Sequence, residues 1–418
     1  MRLPDAFTPL RDRRFAWFYG GRFISILGSV AAPIALTFAV LDLTGNSAGA
    51  LGAVLAARSI PLVVFLLVGG VIADRLSRSV VMQVSHLLSA LTQGAVAALL
   101  LTGQAELWML ISLEAVNGAV SAFTFPAMQG VVPQVVPRSH LQQANAMLSF
   151  SRNGLAILGP SVGALMVVTV GSGWAVAVDA CTWAVASACL ARVRLPPSSE
   201  SDDQAPARSM WRDLAEGWTA FTSLTWVWVV VAAFGALNAI HAGAWFTLGP
   251  AVAKGSIGES GWGYVLSAEA AGMLVMTIAM MRWRLRYPVR AGMLGMGALA
   301  LPLLALGLHP STVLLILLAF VAGCGEEVFG IGWQTAYHEH IPGHLLSRIA
   351  SYDALGSFVA IPLGQLAFGP LAAVFGARDV LVVSGIGYVA IVLATLTSRS
   401  VRNLEHAPAG EPQDSRTT

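Results

Sequence analysis

Charge is scarce in this chain. Asp, Glu, Lys and Arg make up 11% of its 418 residues, where a soluble globular domain carries about 25%. A water-soluble enzyme of this length is thereby excluded. Lysine is nearly missing, with Lys254 standing alone beside 23 arginines. Cysteine is sparse too. Cys181, Cys189 and Cys324 all fall within apolar runs, so neither a disulfide scaffold nor a thiolate metal cluster is expected, and the three read as small buried hydrophobes. The sequence has no Gly-x4-Gly-Lys-Ser/Thr phosphate loop, no HExxH and no Cys-x2-Cys. It therefore lacks the apparatus of an ATP-driven pump and of the common zinc sites. His338-Glu-His340 carries metal-capable side chains, but alternate helical positions diverge and no third ligand is evident, so interface polarity is the reading. No metal, cofactor, enzymatic activity or nucleic-acid partner is expected.

What the chain has in abundance is apolar length. Hydrophobic residues make up 56% and the mean hydropathy is +0.71. Apolar stretches recur at 16–41, 48–72, 80–101, 107–129, 144–168 and 174–191, then at 226–251, 262–281, 291–308, 312–337, 350–374 and 380–397. Each is long enough to cross about 30 Å of hydrocarbon as a helix. Backbone groups in lipid must be satisfied within a helix or a closed barrel, and these runs are too long and uniform for alternating barrel strands. The spacing predicts an all-α integral membrane protein of twelve helices.

The arginines sort by side. With both termini and alternate loops on one face, nineteen arginines lie there against Lys254 and Arg378 on the other, the asymmetry of short cytoplasmic loops. The termini are expected in the cytoplasm. The first 14 residues carry Arg2, Arg11, Arg13 and Arg14 without a cleavable apolar region, so no removable signal peptide is expected. The predicted organisation is a six-helix bundle over 1–191, a cytoplasmic linker over 192–225 with an amphipathic stretch around Met210 to Phe221, a second bundle over 226–398, and a flexible polar tail over 399–418. A shift of 205 residues superposes Gly118 on Gly323, Pro137 on Pro342, Leu141 on Leu346, Gly159 on Gly364 and Gly171 on Gly376 without a gap. A constant offset across three helices points to duplication of a six-helix unit, hence two pseudo-symmetric halves.

At the second-to-third helix turn stands Gly70-Val-Ile-Ala-Asp74-Arg75-Leu-Ser-Arg78. It is similar to the Gly-x-x-x-Asp-Arg-x-Gly-Arg loop of the major facilitator superfamily, with Ser77 in place of the inner glycine. Gly70 permits close helix approach, and Asp74 is placed to accept hydrogen bonds or pair with an arginine, so the contact can differ between two packings. The plain alternative is a turn whose Arg75 and Arg78 only set orientation. In the fifth helix, Gly154-x4-Gly159-Pro160-x2-Gly163 resembles the antiporter-associated motif of exporters in this family. The motif favours export over import, and a purely structural packing face with a proline kink is the plain alternative. The resemblance covers about residues 10–400 and points to the bacterial drug, siderophore and macrolide exporter branch. It implies a cytoplasmic gate at Gly70, Asp74, Arg75 and Arg78. In the fourth helix, Glu114-Ala-Val-Asn117-Gly118 departs from the pattern, since many family drug antiporters carry an arginine where Glu114 stands.

A charge at the centre of a membrane helix costs at least about 2.5 kcal/mol on insertion scales, so intramembrane ionisable groups are functional candidates. Glu326, Glu327, Glu114, Glu269 and Asp353 are the candidates for proton coupling. Arg22, Arg58, Arg152 and Asp179 are candidates for intramembrane pairing, and a static pair between Glu326 or Glu327 and one of the arginines is the alternative to a working acid. Asn117, Phe123, Phe125, Asn238, His241, Trp245, Trp333 and Gln334 are the candidates to line a substrate cavity. The resulting expectation is a monomeric secondary exporter in a bacterial cytoplasmic membrane. It moves an amphipathic or cationic small molecule against inward proton flow, with membrane lipids as its surroundings. An uncoupled facilitator, or a receptor that kept the transporter framework, would share these features.

Overall fold

The computed structural model describes residues 8–75, 78–136, 141–193, 218–283 and 285–405. Among the described residues, twelve helices are long and apolar enough to span a membrane. The first six are α1 (Arg13–Leu43), α2 (Ala48–Arg75), α3 (Arg78–Leu101), α4 (Leu107–Val135), α5 (Leu141–Val170) and α6 (Ser172–Ala191). Then follow α7 (Thr225–Lys254), α8 (Gly258–Met280), α9 (Pro288–Leu308), α10 (Thr312–His340), α11 (Gly343–Phe358 continued by Ala360–Phe375) and α12 (Ala377–Thr397).

Local chemistry sets the ends. Asp12 caps α1 by accepting the Arg14 backbone N–H at 2.8 Å. At the far end of α10, Ile341 turns extended ahead of Pro342, as a pre-proline residue must. Several helices run past the apolar stretches, because nothing breaks the helix where the polar interface begins. Two prolines mark irregular places. Pro362 cannot donate to the Phe358 carbonyl, and α11 is interrupted at Val359. Pro302 leaves the Ala298 carbonyl without its usual partner, beside the 3-10 turn Gly297–Leu299 in α9.

The chain divides into two compact units. The first holds α1–α6 together with Ala253–Ser267, and the second holds the rest of the C-terminal helices. Sequence alone had assigned Ala253–Ser267 to the C-terminal half. Inside the first unit that segment is tied down twice: Lys254 pairs with Asp42 and lies 4.0 Å from Glu259, and the Ser161 and Ser267 hydroxyls are 2.8 Å apart.

Both units are built on one plan. In the first, α3 packs on α4 and α6, and α1 on α5; in the second, α9 packs on α10 and α12, and α7 on α11. Glycines show the same correspondence. A methyl on Gly118 would run into the Arg58 carbonyl, and one on Gly323 would run into the Glu269 carbonyl. Gly171 and Gly376, at φ 89° and φ 88°, open α6 and α12 in the left-handed region. The fold is thus all-α with two pseudo-symmetric six-helix halves.

Large apolar side chains such as Leu91, Phe150, Leu165 and Val383 stand exposed. Lipid tails solvate them as well as a core would, so helix association depends on close packing and polar contacts. The same reasoning corrects the cysteine expectation. Only Cys189 is buried; Cys181 is exposed, and Cys324 is half-buried with its thiol 3.3 Å from the Gly272 carbonyl.

Most of the stretch Met210 to Phe221 lies outside the described residues. At its end, Trp218 and Phe221 pack on Tyr352 of α11 with ring centroids 5.5 Å and 5.8 Å away. The tail expectation is also revised, because its beginning is structured. Arg399–Arg402 forms a helical turn, and Glu405 accepts from Arg286 at 3.2 Å and from Tyr287 at 2.9 Å.

Candidate transport site

Glycine spacing in α10 positions the acids. Gly323 lets α8 approach at the Glu269 carbonyl, and Gly325 meets the Gly295 backbone of α9. Glu326 and Glu327 follow directly and project about 100° apart. Both line a cavity of about 720 Å³ in the second unit, with walls from α7, α8, α10 and α11. Its apolar wall is an aromatic stack. Phe234 lies on Phe329 with centroids 4.9 Å apart and planes 16° apart, and Phe329 runs nearly parallel to Trp333 at 6.1 Å. Trp226 braces Trp333 edge-on at 5.4 Å.

Three carboxylates meet this wall. Asp353 accepts from the Trp333 indole N–H and from the Ser357 hydroxyl, each at 3.2 Å. Glu327 accepts from the Thr277 hydroxyl of α8 at 2.7 Å. Glu326 lines the cavity and also lies within electrostatic reach of Glu269 and of the Tyr388 phenol. Glu269 is buried, accepts from the Trp245 indole at 3.1 Å, and lies 4.0 Å from His241 Nε2. His241 and Trp245 sit four residues apart on His241–Leu248, a π-helical segment of α7. There Thr247 donates to the Ala242 carbonyl five residues back, a local widening that is common at functional sites.

The cavity candidates thus separate. Trp333 and Gln334 line the cavity. His241 and Trp245 surround Glu269 instead, and Asn238 holds α7 to α11 by donating to the Ser357 carbonyl at 2.9 Å. Asn117 is buried in the first unit, and Phe123 packs there against the cluster around Phe15, Phe18 and Met82. The side chain of Phe125 lies outside the described residues.

In the first unit, Glu114 is 1% exposed. It pairs with Arg58 at 3.5 Å and accepts from Gln93 at 3.1 Å. Asp179 is buried with Oδ1 lacking a hydrogen-bond partner. Arg22 sits beside His86 around a small void, whereas Arg152 is exposed. Gly159 and Gly163 meet Val30 and Ala31 of α1, while Gly154 faces open space. Pro160 lies within α5. Gly70, Asp74 and Arg75 end α2 and Arg78 begins α3, but the side chains of this loop lie outside the described residues.

Sequence reasoning missed Phe329, Thr277, Gln93, His86 and Tyr388. One signal existed: Glu326, Phe329 and Trp333 are spaced i, i+3, i+7, which puts them on one helical face. The others lie on different helices, and nothing local marks them.

Comparisons with known proteins agree with this architecture. The profile of the Major Facilitator Superfamily matches residues 18–364. The multidrug efflux pump Tap of Mycobacterium tuberculosis (strain ATCC 25618 / H37Rv) is 25% identical over 407 residues, covering 92% of this chain and 93% of that protein. The uncharacterized MFS-type transporter YfiS of Bacillus subtilis is 31% identical, over only 26% of this chain and 25% of its own length. Macrolide efflux protein A of Streptococcus pyogenes is 25% identical over 44% of the chain and 45% of its own. Among solved structures, the nucleoside transporter NupG superposes with TM-score 0.73 at 15% identity, covering 92% of this chain and 98% of that one. A bacterial homologue of ferroportin, in an inward-facing state, gives TM-score 0.70 at 14% identity, with 92% and 99% covered. Twelve spanning helices in two like halves, and a profile match over most of their length, make this chain a member of the major facilitator superfamily, a membrane transporter of small molecules.

Proposed function

We propose that the chain exports an amphipathic or cationic small molecule across a bacterial cytoplasmic membrane, with its termini in the cytoplasm, driven by inward proton flow and working as a monomer. The observation that carries this reading is the cavity of the second unit. It presents an aromatic stack and three carboxylates, and no Lys or Arg appears among its described lining residues. Such a wall attracts a flat apolar body bearing positive charge, through ring stacking and electrostatic complementarity. Export is supported by the kinship with proteins named as a multidrug efflux pump and a macrolide efflux protein. Proton coupling is supported by Glu326, which lines the cavity and lies within electrostatic reach of the buried Glu269. A carboxylate that alternates between a proton and a cation links the two fluxes. A potential of about 100 mV adds about 2.3 kcal/mol per charge moved.

The test is ethidium flux in proteoliposomes under an imposed pH gradient. Ethidium should move against its gradient, and Glu326→Gln or Glu327→Gln should uncouple that movement in at least one case. Flux indifferent to both pH and potential would instead establish an uncoupled facilitator. Tight ethidium binding without flux would establish a binding protein.

A further inference from the structure

Helices α2, α3, α4 and α6 each send a polar group into the interior of the first unit, where Asp179 and Glu114 lie in the field of the same arginine, Arg58. Arg58 on α2 lies 3.5 Å from Glu114 Oε2 on α4, and Gln93 on α3 donates to the other Glu114 oxygen. Glu114 Oε2 accepts no hydrogen bond despite its burial, and Asp179 Oδ1 on α6 is in the same position. Asp179 is 2% exposed, and Arg58 and Glu114 are the charged groups whose field reaches it. Gly28 of α1 closes the remaining side, since a methyl there would meet Asp179 Oδ1 at 2.6 Å. One guanidinium is therefore paired with one carboxylate and within electrostatic reach of a second. The Trp183 indole hydrogen-bonds the Asp179 carboxyl, yet Oδ1 stays without a donor, and burying a second charge so thinly compensated is far more costly than burying a neutral carboxyl. The Arg58 side chain is 39% exposed, so it has room to shift from one acid to both.

We propose that Arg58, Glu114 and Asp179 form a proton site in the first unit, separate from the acids of the second-unit cavity. Asp179 carries the proton while Arg58 holds Glu114. When the Asp179 O–H bond breaks, its electron pair stays on the carboxylate, the proton leaves to water, and Arg58 is shared between both acids. The proposal rests on the proton-driven reading above and adds a second place where the protein loads a proton. Its other titratable neighbours are on α3 and α1. Both ring nitrogens of His86 are buried without a hydrogen-bond partner, its ring centroid is 5.0 Å from that of Trp183, and Arg22 lies beside it. Neither group has a carboxyl stretch, so infrared spectroscopy separates them from Asp179.

The experiment is an alkaline-minus-acid infrared difference spectrum of the full chain in lipid nanodiscs, with proton release counted by an indicator dye. The wild type should lose a buried carboxyl band on alkalinisation. Asp179→Asn should lack that band and release one proton fewer per chain, and Asp179→Glu should restore the band at a shifted frequency. In Glu114→Gln, Arg58 faces Asp179 alone, and the band should be missing at every pH. That variant also decides the matter if Asp179→Asn fails to fold. A band unchanged in Asp179→Asn, one that still titrates in Glu114→Gln, or one that answers to sodium and not to pH would overturn the site. Failure of the cavity reading is distinguishable. Coupled ethidium flux that survives both Glu326→Gln and Glu327→Gln would remove that reading and leave the Asp179 band in place.

Discussion

The Trp333 indole N–H donates to Asp353 Oδ2 across 3.2 Å. One side chain is thus both the apolar wall of the cavity and the donor that fixes its acid. Trp333→Phe keeps the wall and removes the donor. Ethidium affinity should fall about threefold, the size of a typical net hydrogen bond. Asp353→Asn should weaken ethidium about tenfold while leaving a neutral macrolide nearly unaffected, since only the charge is lost. Fluorescence polarisation and competition measure both, and equal losses for the two ligands would contradict the role given to Asp353.

Thr277 has one hydroxyl proton and two acceptors, the Met273 carbonyl at 2.9 Å and Glu327 Oε1 at 2.7 Å. Thr277→Val leaves the Glu327 oxygen without this donor and should cost about 1–3 kcal/mol, read as a lower Tm in detergent. Thr277→Ser should restore it.

The paired crossings at Gly118 and Gly323 should respond alike. Each backbone sits against a carbonyl of the neighbouring helix, so alanine at either position forces the helices apart, at a cost of about 1–3 kcal/mol. Thermal unfolding of the two single variants provides the comparison. A neutral effect in one half only would mean that the halves do not share this contact.

Thiol accessibility provides a chemical check on burial. Cys181 is exposed and Cys189 is buried on the same helix. A lipid-soluble maleimide should modify Cys181 well before Cys189, as mass spectrometry of peptides from nanodisc-embedded protein would show.

Glu405 is placed to make a pH-dependent contribution outside the membrane. The Tyr287 hydroxyl and then the Arg286 guanidinium hold its carboxyl below the ordinary range. A depressed carboxylate stabilises the folded chain above its unfolded pKa, about 4.3, and that contribution disappears as pH falls through the folded value. The stability difference between wild type and Glu405→Gln should therefore be present at neutral pH and vanish in acid. It should also be small and salt-sensitive, since the pair is exposed.

Particular residues show where sequence reading succeeds in this molecule. Pro342 and Gly376 stop α10 and α11 for reasons contained in their own chemistry, and the chain already offered both as markers of its internal repeat. Cys181 was misread because apolarity means burial only in water. Glu326 and Asp353 were recognisable as costly charges, yet their partners were not. Thr277 is 50 residues from Glu327, and Trp333 is 20 from Asp353. The opening of the tail was misjudged for the same reason, as Glu405 finds Arg286 and Tyr287 more than 100 residues upstream.

The twelve spans, their internal duplication and the positions of the buried acids follow from the amino acids alone. A lipid bilayer forces long apolar runs into helices and makes every embedded charge conspicuous. Tertiary packing alone decided that Arg58 takes Glu114 and leaves Asp179 Oδ1 without a hydrogen bond, and that Glu326 lines a cavity within electrostatic reach of Glu269. Those relationships depend on how helices distant in sequence rotate and close against one another, and no local pattern encodes that rotation.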